Sequence, residues 1–167
     1  SHDKVVKSQV KSFRPSTDAP QTLGLDDFQT LLTKIMADTL RLRIVTPERL
    51  LLDEDVDEAT APGAAGEFGV FPNHTTFLSS LQPGRLIYKQ GGQTQTLVVG
   101  GGFAEVVDNT MTVLTNSAET AQEIKLEQAR TELRHAEDTL KTLAPVDPAF
   151  PDAQAAFRLA QARIEMA

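Results

Sequence analysis

The chain has 167 residues, a formal net charge of -7 at pH 7 and no cysteine. Acidic chains are poorly suited to neutralising phosphates, so nucleic acid is not expected as a partner, and the lack of Cys excludes disulfides, thiolate metal sites and thiol nucleophiles. No stretch reaches the ~18 consecutive apolar residues of a membrane helix, so the chain is expected to be soluble or peripheral to a membrane.

The N-terminal part divides into a polar arm and an amphipathic segment. Residues 1–24 show no sustained hydrophobic period and contain Pro15 and Pro20, which predicts an extended or disordered arm. The next segment predicts an amphipathic helix over 25–38, expected to dock on its own domain or on a neighbouring subunit. Its apolar positions are Leu25, Phe28, Leu31, Leu32, Ile35 and Met36. Because the chain begins with Ser1, either a cleaved targeting segment or a trimmed chain is expected.

Residues 40–115 contain short runs of alternating hydrophobicity separated by Gly and Pro, which predicts an antiparallel β-sandwich or flattened barrel. The expected strands lie near 40–44, 50–52, 56–61, 68–71, 85–89, 94–99, 103–107 and 111–115. The expected turns lie at Pro47, Pro62-Gly63, Pro72-Asn73, Pro83-Gly84, Gly91-Gly92, Gly100–Gly102 and Asp108-Asn109. For Gly100–Gly102 we expect a bulge or a close backbone approach, because no helix follows to bind a phosphate.

The C-terminal part is rich in Ala, Glu, Gln, Leu and Arg after Ser117. An apolar stripe from Ala121 to Leu140 predicts a helix of about 25 residues, which the Pro-rich segment 144–151 ends. A second helix is predicted from about Asp152, which is a candidate N-cap. The small Ala faces predict an antiparallel hairpin.

No motif indicates catalysis or metal binding. His2, His74 and His135 stand apart from one another, and the acidic run 53–58 lacks the spacing and glycine of a calcium loop. No nucleophile-elbow pattern is present. The sequence therefore predicts no catalytic residue, no metal site and no cofactor, and favours a structural or binding role.

Four blocks resemble one protein family, the epsilon/delta subunits of F-type ATP synthases. The blocks are Gly66-Glu-Phe-Gly-Val-Phe-Pro-Asn-His74, Leu81-Gln-Pro-Gly84, Val99-Gly-Gly-Gly-Phe-Ala-Glu-Val106 and Met111-Thr-Val-Leu-Thr-Asn-Ser-Ala-Glu119. They occur in the family's order and spacing, and the resemblance covers about residues 40–167.

The resemblance implies a non-catalytic rotor subunit of the central stalk that links the gamma subunit to the membrane c-ring and transmits torque. It implies that the loop containing Gly66, Glu67, Phe68, Gly69 and His74 contacts the c-ring. Gly66 and Gly69 are expected to form a tight turn that projects Glu67 and Phe68 outward.

The N-terminal helix lies outside the resemblance. Its residues Leu25, Phe28, Leu32 and Ile35 are candidates for contacting gamma or a neighbouring subunit.

One departure from the family concerns nucleotide binding. Some bacterial members bind ATP through an Ile/Leu-Asp-x-x-Arg-Ala motif, for which this chain has Ile124-Lys-Leu-Glu-Gln-Ala129. Lys125 replaces the Asp and Gln128 replaces the Arg, and Gln lacks the bidentate fork that Arg offers to phosphate. ATP binding is therefore not expected. Because the second helix is short and weakly basic, we expect a permanently folded hairpin.

The predicted fold class is α+β, with an N-terminal arm and helix (1–39), an antiparallel β-sandwich (40–117) and a C-terminal antiparallel helical hairpin (118–167). The added N-terminal segment and the absence of an initial Met favour a mitochondrial delta subunit on the matrix side of the inner membrane, with the small mitochondrial epsilon subunit as a further partner. A bacterial or thylakoid epsilon subunit is the alternative. A ligand-binding sandwich with a dimerisation hairpin is a third interpretation, and an enzyme a fourth.

Overall fold

The computed structural model describes residues 24–35 and 38–167. The predicted arm, apart from Gly24, lies outside these residues, as do His2 and Met36. Helix α1 spans Leu25–Ile35, and the side chain of Ile35 also lies outside the description. Asp26 and Asp27 occupy the first turn of α1, where carboxylates suit the positive end of the helix dipole. The helix predicted over 25–38 is therefore confirmed over residues 25–35.

Residues 38–167 form eight strands followed by two helices. The strands are β1 (Leu40–Val45), β2 (Leu50–Val56), β3 (Glu58–Gly63), β4 (Gly66–Val70), β5 (Phe77–Gln90), β6 (Gln93–Val107), β7 (Thr110–Thr115) and β8 (Ala118–Thr120). The helices are α2 (Leu126–Thr142) and α3 (Phe150–Met166). The architecture confirms the predicted β-sandwich followed by a helical hairpin.

The strands are hydrogen-bonded in the order β2-β1-β7-β6-β5-β3-β4, with β8 added alongside β6. All pairs are antiparallel except β1 and β7, which run parallel. The sheet encloses one core, in which alternate residues of β1 and β7 pack with residues of β3 to β6. The largest fully buried side chains of this core are Leu40, Leu42, Ile44, Leu86, Met111, Val56, Val70, Val99, Val106 and Val113, whereas Val98 is fully buried outside this core cluster.

Two of the predicted turns are wrong, because β5 and β6 continue through them. Pro83 and Gly84 lie inside β5, opposite Gly100 and Val99 of β6. Gly101 and Gly102 have φ values of 96° and 131°, which are open to glycine, so β6 can bend there without ending. A Cβ on Gly102 would collide with the Leu114 carbonyl oxygen, so the predicted close backbone approach is confirmed.

The start of each hairpin helix also differs from its prediction. Helix α2 begins at Leu126 rather than near Ala121, because Ala118–Thr120 pairs with Leu97–Val99 as β8 and residues 121–123 form a turn after it. Helix α3 begins at Phe150, and its N-cap is Ala149 rather than Asp152. Pro151 lies within the first helical turn, where a missing N–H costs no hydrogen bond. A proline-rich segment thus starts the helix two residues earlier than predicted.

Candidate interaction surfaces

The segment from Gly66 to His74 is a strand and a tethered loop rather than a projecting turn. Gly66–Val70 forms β4 at the end of the strand order, paired only with β3 among the described strands. Glu67 lies opposite Pro62 and is exposed. The predicted turn with Gly66 and Gly69 is therefore wrong, because the chain reverses between Gly63 and Gly66 instead.

Phe68 does not project outward as expected. Its side chain is partly buried and packs against the hydrophobic core. Its ring meets that of Phe77 edge-on, with 5.0 Å between centroids and an interplanar angle of 77°. The alternation of β4 explains this position, since Phe68 and Val70 face the core while Glu67 and Gly69 face solvent. Of Glu67 and Phe68, which were both expected to project outward, only Glu67 is exposed and remains a candidate for contacting the c-ring.

The loop after β4 is held by hydrogen bonds and an aromatic contact. The His74 amide donates to the Phe71 carbonyl at 3.2 Å, and the His74 ring lies 5.7 Å from the ring of Phe77. The Asn73 amide donates to the side-chain oxygen of Asn109 at 2.8 Å. Phe71 itself is 57% exposed. The structure therefore presents Glu67 and Phe71 to solvent on a supported segment, with His74 half-buried beside Phe77.

A second surface lies across the outer face of the sheet. Val45 of β1 pairs with Leu50 of β2 and with Leu114 of β7, and Leu114 pairs with Phe103 of β6. These four side chains form what we call the outer apolar row. Leu50, Leu114 and Phe103 are each exposed to 50% or more, and Val45 is half-buried. Contiguous exposed apolar groups on a β-sheet are typical of a protein-binding surface.

Sequence reasoning missed this row, although its signal was present. In the predicted strand 103–107, Ala104 and Val106 lie on one face, and the other face carries the apolar residues Phe103 and Val107 on either side of Glu105. An antiparallel sheet with one solvated face shows polar residues on that face. Apolar residues on the outward face of such a strand therefore indicate a second surface, which is exposed in the isolated chain and suited to being covered by another protein.

The amphipathic helix α1 carries its own exposed apolar groups. Leu25 is 76% exposed, Phe28 49% exposed, and Leu32 is half-buried. Contact of Leu25, Phe28, Leu32 and Ile35 with a neighbouring subunit stays a prediction.

A polar cleft lies where β8, α2 and α3 meet, at the position of the family's nucleotide motif. Its lining residues are Glu119, Glu123, Lys125, Gln128, Ala129, Glu132 and Arg163. Three carboxylates face two cations, and the Arg163 guanidinium already bonds Glu119 at 2.6 Å and Glu132 at 2.8 Å. Carboxylates repel phosphates, and Lys125 and Gln128 are both exposed. The lining of the cleft is therefore net acidic, and the expected absence of ATP binding stays a prediction.

Charged groups elsewhere on the sandwich pair with one another. The acidic run at 53–58 forms ion pairs in which Asp53 bonds Arg41 at 2.7 Å and Glu58 bonds Lys89 at 2.6 Å. The hydrogen bond from Arg41 holds the pKa of Asp53 below its usual value. Within residues 24–35 and 38–167, no group of three or more His, Cys, Asp or Glu side chains is placed to hold a metal ion. None of the described helices is long and apolar enough to cross a membrane.

Residues 38–167 thus form a β-sandwich with a packed helical hairpin, and the outer face of the sheet carries an exposed apolar row. Residues 39–121 match the family described as ATP synthase, Delta/Epsilon chain, beta-sandwich domain. The ATP synthase epsilon chain of Geobacter metallireducens is 47% identical over 132 residues, which cover 79% of this chain and 96% of that relative. The chain therefore belongs to the ATP synthase delta/epsilon family.

A further relative and two solved structures are also similar to this chain. The epsilon chain of Nitratidesulfovibrio vulgaris is 58% identical over 95 residues, covering 57% of this chain and 71% of that relative. A chain in the cryo-EM structure of the Euglena gracilis mitochondrial ATP synthase, OSCP/F1/c-ring, has a TM-score of 0.65 and 25% identity, covering 77% of this chain and 80% of that chain. A chain of the Tetrahymena thermophila mitochondrial ATP synthase central stalk and c-ring has the same fold, with a TM-score of 0.54 and 17% identity over 74% of this chain and 95% of that chain.

Proposed function

We propose that this chain is a non-catalytic central-stalk subunit of an F-type ATP synthase, of the epsilon type, which joins the gamma subunit to the c-ring and transmits torque. The observation that carries the proposal is the outer apolar row, because a sheet that exposes Leu50, Leu114 and Phe103 together is suited to packing against another subunit. We assign this row to gamma and the Glu67 edge to the c-ring.

The bacterial epsilon interpretation is better supported than the mitochondrial delta interpretation. The bacterial epsilon chains named above share 47% and 58% identity with this chain, whereas the Euglena mitochondrial chain shares 25%. We therefore propose a peripheral position at a bacterial energy-converting membrane, reached through the c-ring. The small mitochondrial epsilon subunit is an additional partner only under the mitochondrial interpretation.

Native mass spectrometry of a complex purified through this chain tests the proposal directly. We expect gamma and the catalytic head to be recovered, and c subunits to be recovered when the membrane sector is retained. An extra small stalk subunit in the complex would restore the mitochondrial interpretation. Recovery of the chain alone, or of a homodimer, would contradict the central-stalk role and favour a separate binding module.

The c-ring assignment is tested with Glu67→Arg in the reconstituted enzyme. Glu67 is exposed on β4, so reversing its charge alters a surface contact and leaves the core intact. We expect proton-driven synthesis or ring association to fall by about tenfold or less, as for loss of one rim contact, while hydrolysis by the detached head is unchanged. The matched control is Glu127→Arg on the solvent side of α2, since the Glu127 side chain is 81% exposed. Unchanged synthesis and ring association in Glu67→Arg would remove this edge from the c-ring contact.

A further inference from the structure

Arg163 occupies an unusual position among the ion-pairing cations of the described residues. Its side chain is 18% exposed, whereas the other ion-pairing Lys and Arg side chains are at least 42% exposed. Nε bonds Glu119 of β8 at 2.6 Å, and Nη1 bonds Glu132 of α2 at 2.8 Å. One guanidinium on α3 therefore joins the sheet and both helices of the hairpin.

The buried residues of the hairpin are small, and its larger apolar side chains, such as Phe157 and Ile164, are only partly buried. Helix α3 packs on β5 and β6, and α2 packs on α3. The buried hairpin residues are Ala129, Ala136, Ala160 and Ala162. A methyl group buries far less apolar area than Leu or Ile, so this interface has a weaker hydrophobic contribution than the core of the sandwich.

Two polar contacts support α3 further along the helix. Arg158 donates to the side-chain oxygen of Gln82, and Arg85 lies 3.7 Å from Glu165 with both side chains 48% exposed. An exposed ion pair such as Arg85–Glu165 is worth little, and the part-buried Arg158–Gln82 contact is one hydrogen bond to a neutral amide, whereas the Arg163 guanidinium makes two charge-assisted hydrogen bonds to carboxylates. Arg163 is thus the strongest polar link at the place where the three elements meet.

We propose that Arg163, Glu119 and Glu132 form an ionic clasp that holds the hairpin on the sandwich without a bound ligand. The clasp uses the guanidinium twice and leaves a cleft edged by carboxylates, so an anion cannot replace either partner without separating charges that are already paired. The clasp lies within this one chain, so its test needs only the isolated chain and does not depend on the proposed function.

The absence of native cysteine allows a specific test by thiol labelling. Ala162→Cys places one thiol in the face of α3 that packs near Gln82, Pro83 and Gly84 of β5. Ala162 is 6% exposed, so the thiol reacts only when the hairpin opens or the chain unfolds. A second reporter, Ala59→Cys, lies in the sandwich core at 1% exposure and reacts only on unfolding of the sandwich.

We expect Arg163→Gln to speed labelling at position 162 by about tenfold, because it removes both bonds and leaves two carboxylates close together. Glu119→Gln should also speed it, because it weakens one of the two bonds of Arg163 from a position that is remote in sequence from the reporter. Labelling at position 59 should be unchanged in both variants. The matched control is Arg130→Gln, which removes an exposed pair with Glu127 on α2.

Two results would overturn the clasp. If Arg163→Gln and Arg130→Gln label at the same rate at position 162, Arg163 does not hold the hairpin. If labelling at positions 162 and 59 accelerates equally, Arg163 stabilises the whole unit rather than the docked hairpin.

Discussion

Phe103 and Leu114 lie opposite each other on β6 and β7, and 55% and 53% of their side chains are exposed on the outer face of the sheet. The opposite face of the same two strands packs in the core. Ala104 and Val113, the next pair in the register, are fully buried in the core. The same two strands therefore contribute one pair to folding and one pair to a surface that is open to a partner.

Replacing Phe103 with Asp should weaken assembly with gamma while the sandwich stays folded. The substitution places a charge at the β6 end of the outer apolar row, where a desolvated partner surface would have to cover it. We expect a loss of about 2 kcal/mol or more in binding, measured by titration of purified gamma. The control is Val146→Asp, since Val146 is 91% exposed in the loop between α2 and α3. Equal affinity for wild type and Phe103→Asp would remove the row from the gamma interface.

The sequence predicted the sandwich because Leu40, Leu42 and Ile44 alternate with arginines in β1, a pattern that only a half-buried strand satisfies. It did not predict the continuity of β5 and β6 through Pro83 and Gly102. Gly and Pro weaken local propensity in the same way whether a chain turns or bends, and the choice depends on pairing with a distant strand.

The candidate site could be predicted only in part, for a related reason. The family resemblance implied that Gly66–His74 contacts the c-ring. The inward position of Phe68 was not predicted, because it depends on the register between β3 and β4. The ion pairs of Arg163 join residues 31 and 44 positions apart in sequence, which no local pattern encodes. Such contacts follow from the docking of whole elements.

Phe68→Ala should destabilise the sandwich, since the ring packs on the core and against Phe77. For a partly buried aromatic side chain we expect a loss of about 2 kcal/mol in the free energy of unfolding. Phe71→Ala, in the following loop, removes a ring that is 57% exposed and should cost less than about 0.5 kcal/mol. Urea denaturation of both variants measures the difference. Similar values for the two would place Phe68 in solvent, as the sequence alone had suggested.

Gly102→Ala should be among the most damaging single-methyl additions to the chain. Its φ of 131° is unfavourable for any L side chain, and the added Cβ would meet the Leu114 carbonyl oxygen. We expect a loss of about 3 kcal/mol or more, with β6 and β7 forced apart. Gly91→Ala is the control, because Gly91 has a φ of 57° and no heavy atom within 4 Å of the added Cβ. Gly91→Ala should cost about 1 kcal/mol in the free energy of unfolding. Thermal unfolding of both variants measures the difference, and a fall in Tm for Gly91→Ala as large as that for Gly102→Ala would contradict the steric argument.

ATP should bind this chain weakly or not at all. Glu119, Glu123 and Glu132 line the cleft beside Gln128, and Arg163 is already bonded to two of these carboxylates. Isothermal titration with Mg-ATP should show no saturable binding up to about millimolar concentration. A Kd of about 1 mM corresponds to a binding free energy of about 4 kcal/mol, and we expect the affinity to be weaker than that. Micromolar affinity would show that the family's nucleotide site persists despite Lys125 and Gln128.

Glu123 should make stability depend on pH in the acid range. Its carboxylate accepts a hydrogen bond from the Thr120 amide at 2.9 Å and another from Arg49 at 2.6 Å, and these bonds, the backbone one first, hold its pKa below the usual value. A lowered folded-state pKa means that the unfolded chain binds the proton more readily. The stabilisation is therefore present above the unfolded-state pKa of about 4.3 and is lost as the pH falls through the folded-state pKa.

Glu123→Gln should accordingly be less stable than the wild type near neutral pH and equal to it in acid. Because the Glu123 side chain is 38% exposed, the difference near pH 7 should be less than about 1 kcal/mol. Urea denaturation at about pH 7, pH 5 and pH 3 should show the two midpoints converging only at the lowest pH. Glu127→Gln, which alters an exposed pair one turn into the hairpin, should run parallel to the wild type throughout. A constant gap between Glu123→Gln and wild type at all three pH values would mean that Glu123 acts through packing, and that its charge contributes nothing to the link between β8 and the β1–β2 turn.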